Sequence, residues 1–379
     1  MSDTATLQRP RRLKALIVKE TLQVFRDPSS ILIAFVLPLI LLFLFGYGVS
    51  LDANEIDIGL ALEDTSPEAH NLAVAFTNSR FFDVRVARDR RAFVDDLVAG
   101  DIRGIVVVPA DFSARLKHQG DAAPIQVIAD GTQPNTANFV QNYVQGVWSN
   151  WRQQRRLERG EAAAPAIALE SRYWFNEELE SRNFLVPGSV AIVMTLIGTL
   201  LTALVIAREW ERGTMEAMMA TPVGTFELLA GKIVPYFVLG MMAMAVCTII
   251  AIGLFGVPFR GSVWALSAVS AAFLCPALGL GYLISAATKN QFVASQMALF
   301  AGFLPAMLLS GFIFEISSMP AAIQAITHIV PARYFVSSLH TLFLAGDIWP
   351  LLLPNVAVML AIGALFLGLA VRNTRKRLD

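Results

Sequence analysis

Residues 186–216 have the sequence VPGSVAIVMTLIGTLLTALVIAREWERGTME, in which a long uncharged run is followed at once by a cluster of charged side chains. The uncharged run, Val186–Ile206, is long enough to cross a bilayer, because a helix rises about 1.5 Å per residue and the hydrocarbon core is about 30 Å thick. A second uncharged run, Ile233–Gly256, follows the charged cluster. The sequence therefore predicts two membrane spans joined at the membrane surface by a polar segment, residues 207–232.

The composition extends this pattern to the whole chain. Hydrophobic residues make up 55% of the 379 residues and charged residues only 16%, which is unusual for a soluble protein. Each uncharged run of sufficient length is predicted to be helical, because backbone groups in lipid must be satisfied within the span. The first run is longer than the apolar core of a signal peptide and no cleavage site follows it, so we expect it to be retained. The six predicted spans are Ser30–Ser50, Val186–Ile206, Ile233–Gly256, Val263–Ala287, Phe292–Phe314 and Leu351–Val371.

Positive charges lie mostly on one side of this topology. The net charge of +0 gives no indication of a nucleic-acid partner. The short loops on one side hold only Arg260 and Arg333, so the positive-inside rule places both termini and segment 207–232 in the cytoplasm. The bases on the cytoplasmic side are Arg9, Arg11, Arg12, Lys14, Lys19, Arg26, Arg208, Arg212, Lys232, Lys289, Arg372, Arg375, Lys376 and Arg377.

The two ends of the chain have distinct patterns. Residues 1–29 include an amphipathic stretch, residues 11–25, which predicts an interfacial helix that Pro28 ends before the first span. Residues 372–379 form a basic tail on the cytoplasmic side. The apolar face of the predicted helix consists of Leu13, Leu16, Ile17 and Val24.

Residues 51–185 hold most of the acidic residues, which indicates a water-exposed domain. Alternating strand and helix patterns predict a small α/β domain with mixed or parallel pairing, and topology places it outside the cytoplasm. The sequence lacks H-E-x-x-H and G-x-S-x-G motifs, so no catalytic site is predicted here. Its aromatic residues are expected to be core or interfacial anchors, and a partner contact remains open. The predicted strands are Ile56–Leu62, Phe82–Ala87, Gly104–Pro109 and Ile125–Ala129; the predicted helices are Pro67–Asn78, Arg90–Ala99, Phe112–His118 and Asn135–Arg159.

The predicted spans contain almost no ionisable side chains, which argues against proton-coupled transport and intramembrane proteolysis. A phosphate-binding loop is also missing. The nearest candidate ends in Gly231-Lys232-Ile233, with Glu227 in place of the first glycine and isoleucine in place of Ser or Thr. We therefore expect no enzyme activity, metal or cofactor in this chain; ATP, if used, would bind to another subunit. Cys247 and Cys275 fall within spans and are expected to pack there.

The charged cluster resembles the signature of ABC transporter permeases of the type-2 exporter family, in the subgroup with a large extracytoplasmic domain after the first span. The principal motif is Arg208–Glu216, followed by Thr221-Pro222 and by Glu227 through Gly231-Lys232. Further matching stretches, which cover nearly the whole chain in order, are Lys19-Glu20, Arg26-Asp27-Pro28, Asp130-Gly131-Thr132, Pro134–Ala137, Phe184–Gly188, Ser310–Phe314 and Pro331–Phe335.

The resemblance implies that segment 207–232 docks in a groove of an ATP-binding subunit, with the N-terminal helix leaning on the same subunit. Glu209, Glu211 and Glu216 would offer carboxylates to bases on that partner. Gly213-Thr214 would provide a sharp turn and a helix cap. The residues implied in this contact are Arg208, Glu209, Glu211, Arg212, Gly213, Thr214, Glu216, Thr221, Pro222 and Lys232.

Residues 315–350 are apolar but interrupted by Pro320 and Pro331, so they are not expected to span. The resemblance implies a pair of short re-entrant helices on the outer side, lining the exit of a transport path. His328 and His340 are expected to pack rather than to bind metal. The residues implied at the outer gate are Phe312, Phe314, Pro331 and Tyr334.

The expected fold is thus an α-helical integral membrane protein with six transmembrane helices and an inserted α/β extracytoplasmic domain; residues 186–371 form the main membrane domain. The resemblance implies the permease subunit of an ATP-driven exporter in a bacterial inner membrane, moving a hydrophobic or amphipathic molecule such as a drug. Its implied partners are an ATP-binding subunit that holds ATP and Mg²⁺, a second permease chain and the lipid membrane. A periplasmic adaptor remains open. The alternatives are a lipid or polysaccharide exporter and a non-transporting receptor or scaffold.

Overall fold

The computed structural model describes residues 2–48, 55–117, 125–132, 134–158, 175–176, 180–221 and 223–373. The chain divides into two compact units, one formed by Met1–Ser50 with Tyr173–Asp379 and the other by Leu51–Arg172. The first unit is helical, and the second contains a small sheet. This confirms the predicted class of a helical membrane protein with an inserted α/β segment.

Within the described residues, six helices are long and apolar enough to cross a membrane, as predicted. Span 2 is the most enclosed of them: 89% of its most apolar 18-residue stretch is buried inside the protein. The corresponding share of span 6 is 17%. Span 2 therefore forms the centre of this unit. We call these helices spans 1 to 6: Pro28–Gly48, Arg182–Glu211, Phe226–Gly253, Val263–Thr288, Gln291–Leu309 and Trp349–Asn373.

The observed ends of spans 2, 3 and 5 differ from the predicted ends, which were placed next to charged residues. Span 2 continues past Ile206 to Glu211, and the helix of span 3 begins at Thr225, so most of segment 207–232 is helical. Charged side chains end an apolar run, but Arg and Glu are good helix formers and do not end a helix. Span 5 ends at Leu309 rather than Phe314, and the next residues form bends.

Spans 2 and 4 are in close backbone contact. A methyl group added at Gly198 of span 2 would lie 2.5 Å from the Cβ atom of Ala277 in span 4. A methyl group added at Gly281 of span 4 would lie 2.5 Å from the carbonyl oxygen of Thr199. Small residues allow this approach, which is the usual way in which helices associate in lipid.

The N-terminal helix extends over Ser2–Arg26, beyond the predicted residues 11–25. It ends at Asp27, whose backbone is extended (φ −95°, ψ 107°), and span 1 begins with Pro28 in its first turn. The predicted apolar face is confirmed, since Val24 is buried and the other three residues of that face are partly buried.

The segment between spans 5 and 6 contains two short helices, Ala321–Thr327 and Pro331–His340. A π-helical turn, Thr341–Ala345, continues the second of them. The resemblance implied a pair of short helices here, and two short helices are present. Each begins at or directly after one of the two prolines that interrupt the apolar run. Pro331 occupies the first turn, where a missing N–H costs nothing.

The inserted unit is built on four strands: β1 (Ile56–Leu62), β2 (Phe82–Ala87), β3 (Gly104–Val108) and β4 (Gln126–Ala129). Their order is β2-β1-β3-β4. β1 is parallel to β2 and β3, whereas β4 is antiparallel to β3, so the mixed pairing allowed by the sequence is present. The helices are Pro67–Thr77, Val94–Ala99, Phe112–Lys117 and Pro134–Glu158.

Aromatic residues of the long helix Pro134–Glu158 belong to the core of this unit. Trp151 is 5% exposed, and its indole Nε1 donates to Asn71 Oδ1 at 2.7 Å. Trp148 stacks on Trp151, with ring centroids 5.3 Å apart. These two tryptophans therefore stabilise the inserted unit, which favours the core interpretation over the open partner contact. Tyr173, Trp174 and His118 lie outside the described residues.

Candidate functional site

The polar segment between spans 2 and 3 turns sharply at Gly213. This residue has φ +68°, in the left-handed region that glycine adopts without strain. A short helix, Thr214–Met219, follows, and we call it the loop helix. The Thr214 hydroxyl donates to the carbonyl of Glu209 at 3.2 Å. The predicted turn is present, but Thr214 closes the end of span 2 instead of capping the loop helix, because its hydroxyl faces the preceding turn.

One side of the loop helix is fixed to the membrane unit and the other is free. Met215 is fully buried, in a cluster with Leu228 of span 3 and Tyr282 of span 4. The outward side presents polar and charged groups. Phe226, near the start of span 3, is 73% exposed. Pro222 lies outside the described residues. The exposed residues of the predicted contact are Glu211, Arg212, Thr214, Glu216 and Thr221.

Glu211 and Trp210 connect the end of span 2 to the start of span 5. Glu211 Oε1 accepts a hydrogen bond from the backbone N–H of Gln291 at 2.8 Å. The ammonium group of Lys289 lies 4.8 Å from the centre of the Trp210 ring, within cation–π range. The base of the loop helix is therefore held against two spans besides its own.

Near the end of span 2 lies a group of four charged residues, three of them buried, which we call the ion cluster: Lys19, Glu20, Glu209 and Lys232. Glu20, Glu209 and Lys232 are only 1%, 3% and 2% exposed. The Lys232 ammonium group contacts Glu209 Oε2 and lies 3.2 Å from Glu20 Oε1. The Lys19 ammonium group is 2.8 Å from Glu20 Oε1 and 3.2 Å from Glu209 Oε1.

The ion cluster corrects the role expected for Glu209. Its two carboxylate oxygens are occupied by Lys19 and Lys232 of the same chain, and its side chain is buried. A buried charge is costly unless it is paired, so these contacts are required for the fold. Glu209 is therefore not free to offer its carboxylate to a partner protein. Lys232 is likewise buried, and it lies within span 3.

A second ion pair lies beside the ion cluster. Arg208 Nη1 is 3.1 Å from Asp27 Oδ2, and Arg208 Nη2 is 3.2 Å from the Ser29 hydroxyl. The Ser29 and Ser30 hydroxyls each donate to Asp27 at 2.7 Å. Burial by itself raises the pKa of Asp27, but these hydrogen bonds and the Arg208 charge outweigh burial and hold the pKa below its usual value. The Arg208 side chain is thus engaged within the chain.

The ion cluster and the Asp27–Arg208 pair join three helices at one level. Lys19 and Glu20 come from the N-terminal helix, Glu209 from span 2 and Lys232 from span 3. Charged hydrogen bonds in a region of low water access are strong and directional. The ion cluster therefore connects the end of span 2, which precedes the loop helix, to the N-terminal helix and to span 3. The Lys19-Glu20 motif was visible in the sequence, but its partners were not.

An apolar cavity of about 260 Å³ lies between spans 2, 4, 5 and 6 and residues 326–332 of the segment between spans 5 and 6. Two π-helical turns, Ile197–Leu201 in span 2 and Leu299–Phe303 in span 5, contribute to its wall, and such turns are frequent at functional sites. The Thr195 and Thr199 hydroxyls donate to carbonyls of their own helix. The surface that they present is therefore mostly apolar and suits an apolar ligand.

The four residues implied at the outer gate do not form one surface. Phe312 is 1% exposed and packs edge-on against Phe45, with ring centroids 5.3 Å apart. Phe314 is 55% exposed. Pro331 borders the apolar cavity, whereas the Tyr334 hydroxyl donates to the carbonyl of His328 at 3.0 Å. The expected gate is thus corrected: Phe312 is a packing residue, because it fills the space left beside Gly188.

The histidines of the outer helices are engaged in local packing. His340 lies against the Phe184 ring, and its Nε2 is 3.0 Å from the Phe184 carbonyl oxygen. Burial lowers the pKa of His340 to about 4, so the ring is neutral near pH 7. His328 Nδ1 is 3.4 Å from the Tyr334 hydroxyl. Among the residues that the structure describes, no three or more His, Cys, Asp or Glu side chains are grouped to hold a metal.

Six spans, an α/β unit after the first of them and an ion-paired connection between spans 2 and 3 define a multi-pass membrane protein of the permease type. The sequence profile of the ABC-2 family of transporter proteins matches residues 28–372, and the chain belongs to that family. The family resemblance drawn from the motifs is therefore confirmed.

Curated relatives cover nearly the whole chain. It is 50% identical over 369 residues to the probable multidrug ABC transporter permease YbhS of Escherichia coli (strain K12), covering 97% of this chain and 98% of the relative. It is 29% identical over 364 residues to the probable multidrug ABC transporter permease YbhR of the same strain, covering 94% and 98%. It is 21% identical over 394 residues to the linearmycin resistance permease protein LnrN of Bacillus subtilis (strain 168), covering 96% and 100%.

Proposed function

We propose that this chain is the membrane subunit of an ATP-driven exporter that moves hydrophobic or amphipathic small molecules, such as drugs, out across a bacterial inner membrane. Membership of the ABC-2 transporter family and relatives named as multidrug permeases support this function. The chain lacks a phosphate-binding loop, so a separate ATP-binding subunit holds ATP and Mg²⁺. The observation that carries the proposal is the exposed loop helix backed by the buried ion cluster.

The loop helix is the docking element for the ATP-binding subunit. Arg212, Glu216 and Thr221 are exposed on it or beside it, and Glu211 adds a carboxylate at its base. Opposite charges close together on one helix surface favour a specific, oriented contact with a charged groove. When ATP closes the partner subunits, the loop helix tilts. The ion cluster passes the tilt to the N-terminal helix and to spans 2 and 3.

The apolar cavity receives the substrate. Its volume of about 260 Å³ fits the apolar part of a small amphipathic molecule. Part of its wall comes from span 2, which also carries Glu209 of the ion cluster. Span 5 leaves much of its apolar surface uncovered, because only 22% of its most apolar 18-residue stretch is buried. A second permease chain, identical or related, covers this face and completes the path. Two ATP-binding subunits then serve the pair.

The proposed orientation places the termini and the loop helix in the cytoplasm and the inserted α/β unit outside. The supporting observation is the excess of bases next to the spans on the cytoplasmic side. The inserted unit is then available to a periplasmic adaptor.

The test is drug efflux from cells that express this chain with an ATP-binding subunit, using the hydrophobic dye Hoechst 33342. Ala301 lines the cavity, so Ala301→Phe should fill it and raise dye accumulation towards that of cells without the transporter. Ala364→Phe is the matched control, because it makes the same change at an exposed position of span 6 that does not line the cavity. Dye efflux that needs neither this chain nor the partner's ATP hydrolysis would refute the proposal. A change in lipid or polysaccharide export without dye efflux would support the alternative exporter class.

A further inference from the structure

A groove of about 1000 Å³ runs along the N-terminal helix, with the cytoplasmic end of span 2 as its other wall. Its lining includes six bases and a single acid, Asp27. The excess positive charge makes this groove different from the apolar cavity and from the loop helix. The bases are Arg11, Lys14, Lys19, Arg26, Arg208 and Arg212.

Most of this positive charge is not neutralised by the residues that the structure describes. Lys19 belongs to the ion cluster, and Arg208 is paired with Asp27. Arg11, Lys14 and Arg26 are exposed, and no carboxylate of the described residues pairs with them. The groove therefore requires negative charge from another molecule.

The floor of the groove between these bases is apolar. Ala15, Val18 and Leu22 are spaced by three and four residues, which aligns them on one face of the helix. Val18 is 48% exposed and Leu22 is 52% exposed. A ligand that fits this groove must therefore combine anionic groups with hydrocarbon.

The apolar floor leads towards the membrane. The N-terminal helix is connected to span 1 by the single residue Asp27. Near the start of span 1, Ile31 and Leu32 are also exposed, at 40% and 55%. Because span 1 lies in lipid, the adjoining floor of the groove is at the level of lipid headgroups and upper acyl chains.

We propose that this groove binds acidic phospholipids of the membrane leaflet in which the N-terminal helix lies. Phosphate groups contact Arg11, Lys14 and Arg26, and acyl chains cover Val18 and Leu22. Clusters of Lys and Arg on an amphipathic helix next to a span attract anionic lipid headgroups. An acidic protein surface would match the charge but would not account for an apolar floor that continues into span 1. The inference rests on the proposed membrane placement and not on exporter activity.

The test is native mass spectrometry of the full-length chain in detergent, titrated with dioctanoyl phosphatidylglycerol or dioctanoyl phosphatidylcholine. We expect the wild type to bind phosphatidylglycerol about tenfold more tightly than phosphatidylcholine. The triple variant Arg11→Gln, Lys14→Gln, Arg26→Gln should lose about tenfold in affinity for phosphatidylglycerol and nothing for phosphatidylcholine. Arg212 is left unchanged, so that docking of the ATP-binding subunit is not altered directly.

Two further variants distinguish binding in the groove from a general effect of the protein's charge. Arg88→Gln, Arg90→Gln, Arg91→Gln removes the same charge from the exposed surface of the inserted unit and should leave phosphatidylglycerol binding unchanged. A charge-preserving variant with Arg11→Lys and Arg26→Lys should also keep the preference.

Equal affinity of the wild type for the two lipids would overturn the proposal. So would an equal loss of phosphatidylglycerol affinity in the groove variant and in the variant of the inserted unit. If the triple variant keeps its lipid preference but no longer co-purifies with the ATP-binding subunit, the groove is a protein contact and the proposal is also wrong. Failure of dye efflux would leave this lipid test unaffected.

Discussion

Neighbouring charged residues in the stretch Arg208–Glu216 have different roles, which are set by burial. Glu209 is 3% exposed and is paired with two lysines, whereas Glu211 and Glu216 are exposed. A buried ion pair contributes little net stability, but removal of one partner leaves an uncompensated charge. Surface charges can change at small cost to the fold and are available for contact with another subunit.

Glu209→Ala is expected to destabilise the chain by about 3–5 kcal/mol, because Lys232 would remain buried with only part of its ion pairing. Glu216→Ala should change stability by less than about 0.5 kcal/mol, as at other exposed sites. Thermal unfolding of the purified protein in detergent measures both. Removing Lys232 as well, in Glu209→Ala, Lys232→Ala, should recover part of the loss. Equal effects of Glu209→Ala and Glu216→Ala would contradict a structural role for the ion cluster.

Gly213 provides the second test at this scale. Gly213→Ala should destabilise the turn by about 1–2 kcal/mol, because alanine disfavours a positive φ. Gly368→Ala is the matched control, since Gly368 lies inside the helix of span 6 and nothing lies within 4 Å of a methyl group added there. Denaturation midpoints in detergent report the difference. A similar shift for both variants would show that the left-handed turn is not the cause.

At the scale of elements, the N-terminal helix and span 3 are held together by close packing as well as by charge. A methyl group added at Gly231 would lie 2.9 Å from the Cβ atom of Leu16, closer than side-chain atoms approach. Lys232, the next residue, reaches Glu20 of the same helix. The N-terminal helix can therefore follow span 3 only while this contact stays intact.

Gly231→Val should push the N-terminal helix away from span 3 and expose its bases to protease. Limited trypsin digestion of the purified chain would then cleave the first 26 residues faster than in the wild type. Gly253→Val is the control, because nothing lies within 4 Å of a methyl group added there. An unchanged digestion rate would contradict tight packing at this point.

The six helices and the sheet were predictable because each depends on local patterns. Uncharged runs gave the spans, and the strands follow alternating or buried apolar segments. The ion cluster was not predictable, since Lys19 and Glu209 are 190 positions apart and only packing of the N-terminal helix brings them together. The ends of span 2 were misplaced because charge was taken as the end of the helix. The gate was misjudged because the burial of Phe312 depends on Gly188 and Phe45 from other helices.

At the scale of the molecule, the chain is a membrane unit with an α/β unit inserted between its first two spans. The proposed mechanism needs these parts on defined sides: the loop helix where ATP is present and the inserted unit on the opposite side. The distribution of bases next to the spans is the supporting observation.

This orientation can be tested by cysteine labelling of intact spheroplasts. In a background with Cys247→Ala and Cys275→Ala, Arg90→Cys marks the inserted unit and Glu216→Cys marks the loop helix. A membrane-impermeant maleimide should label the first without lysis and the second only after lysis. The reverse pattern would place the loop helix outside and would exclude its docking to a cytoplasmic ATP-binding subunit.

The central claim, that the loop helix docks on an ATP-binding subunit, is tested most directly by co-purification. The tagged chain is co-expressed with that subunit and isolated in mild detergent, as the wild type and as Arg212→Glu, Glu216→Arg, which keeps the net charge. The control, Asp83→Arg with Arg88→Glu, makes the same exchange on the inserted unit. We predict that the subunit accompanies the wild type and the control but is lost from the loop-helix variant. Equal recovery with all three, or no recovery with the wild type, would contradict the account.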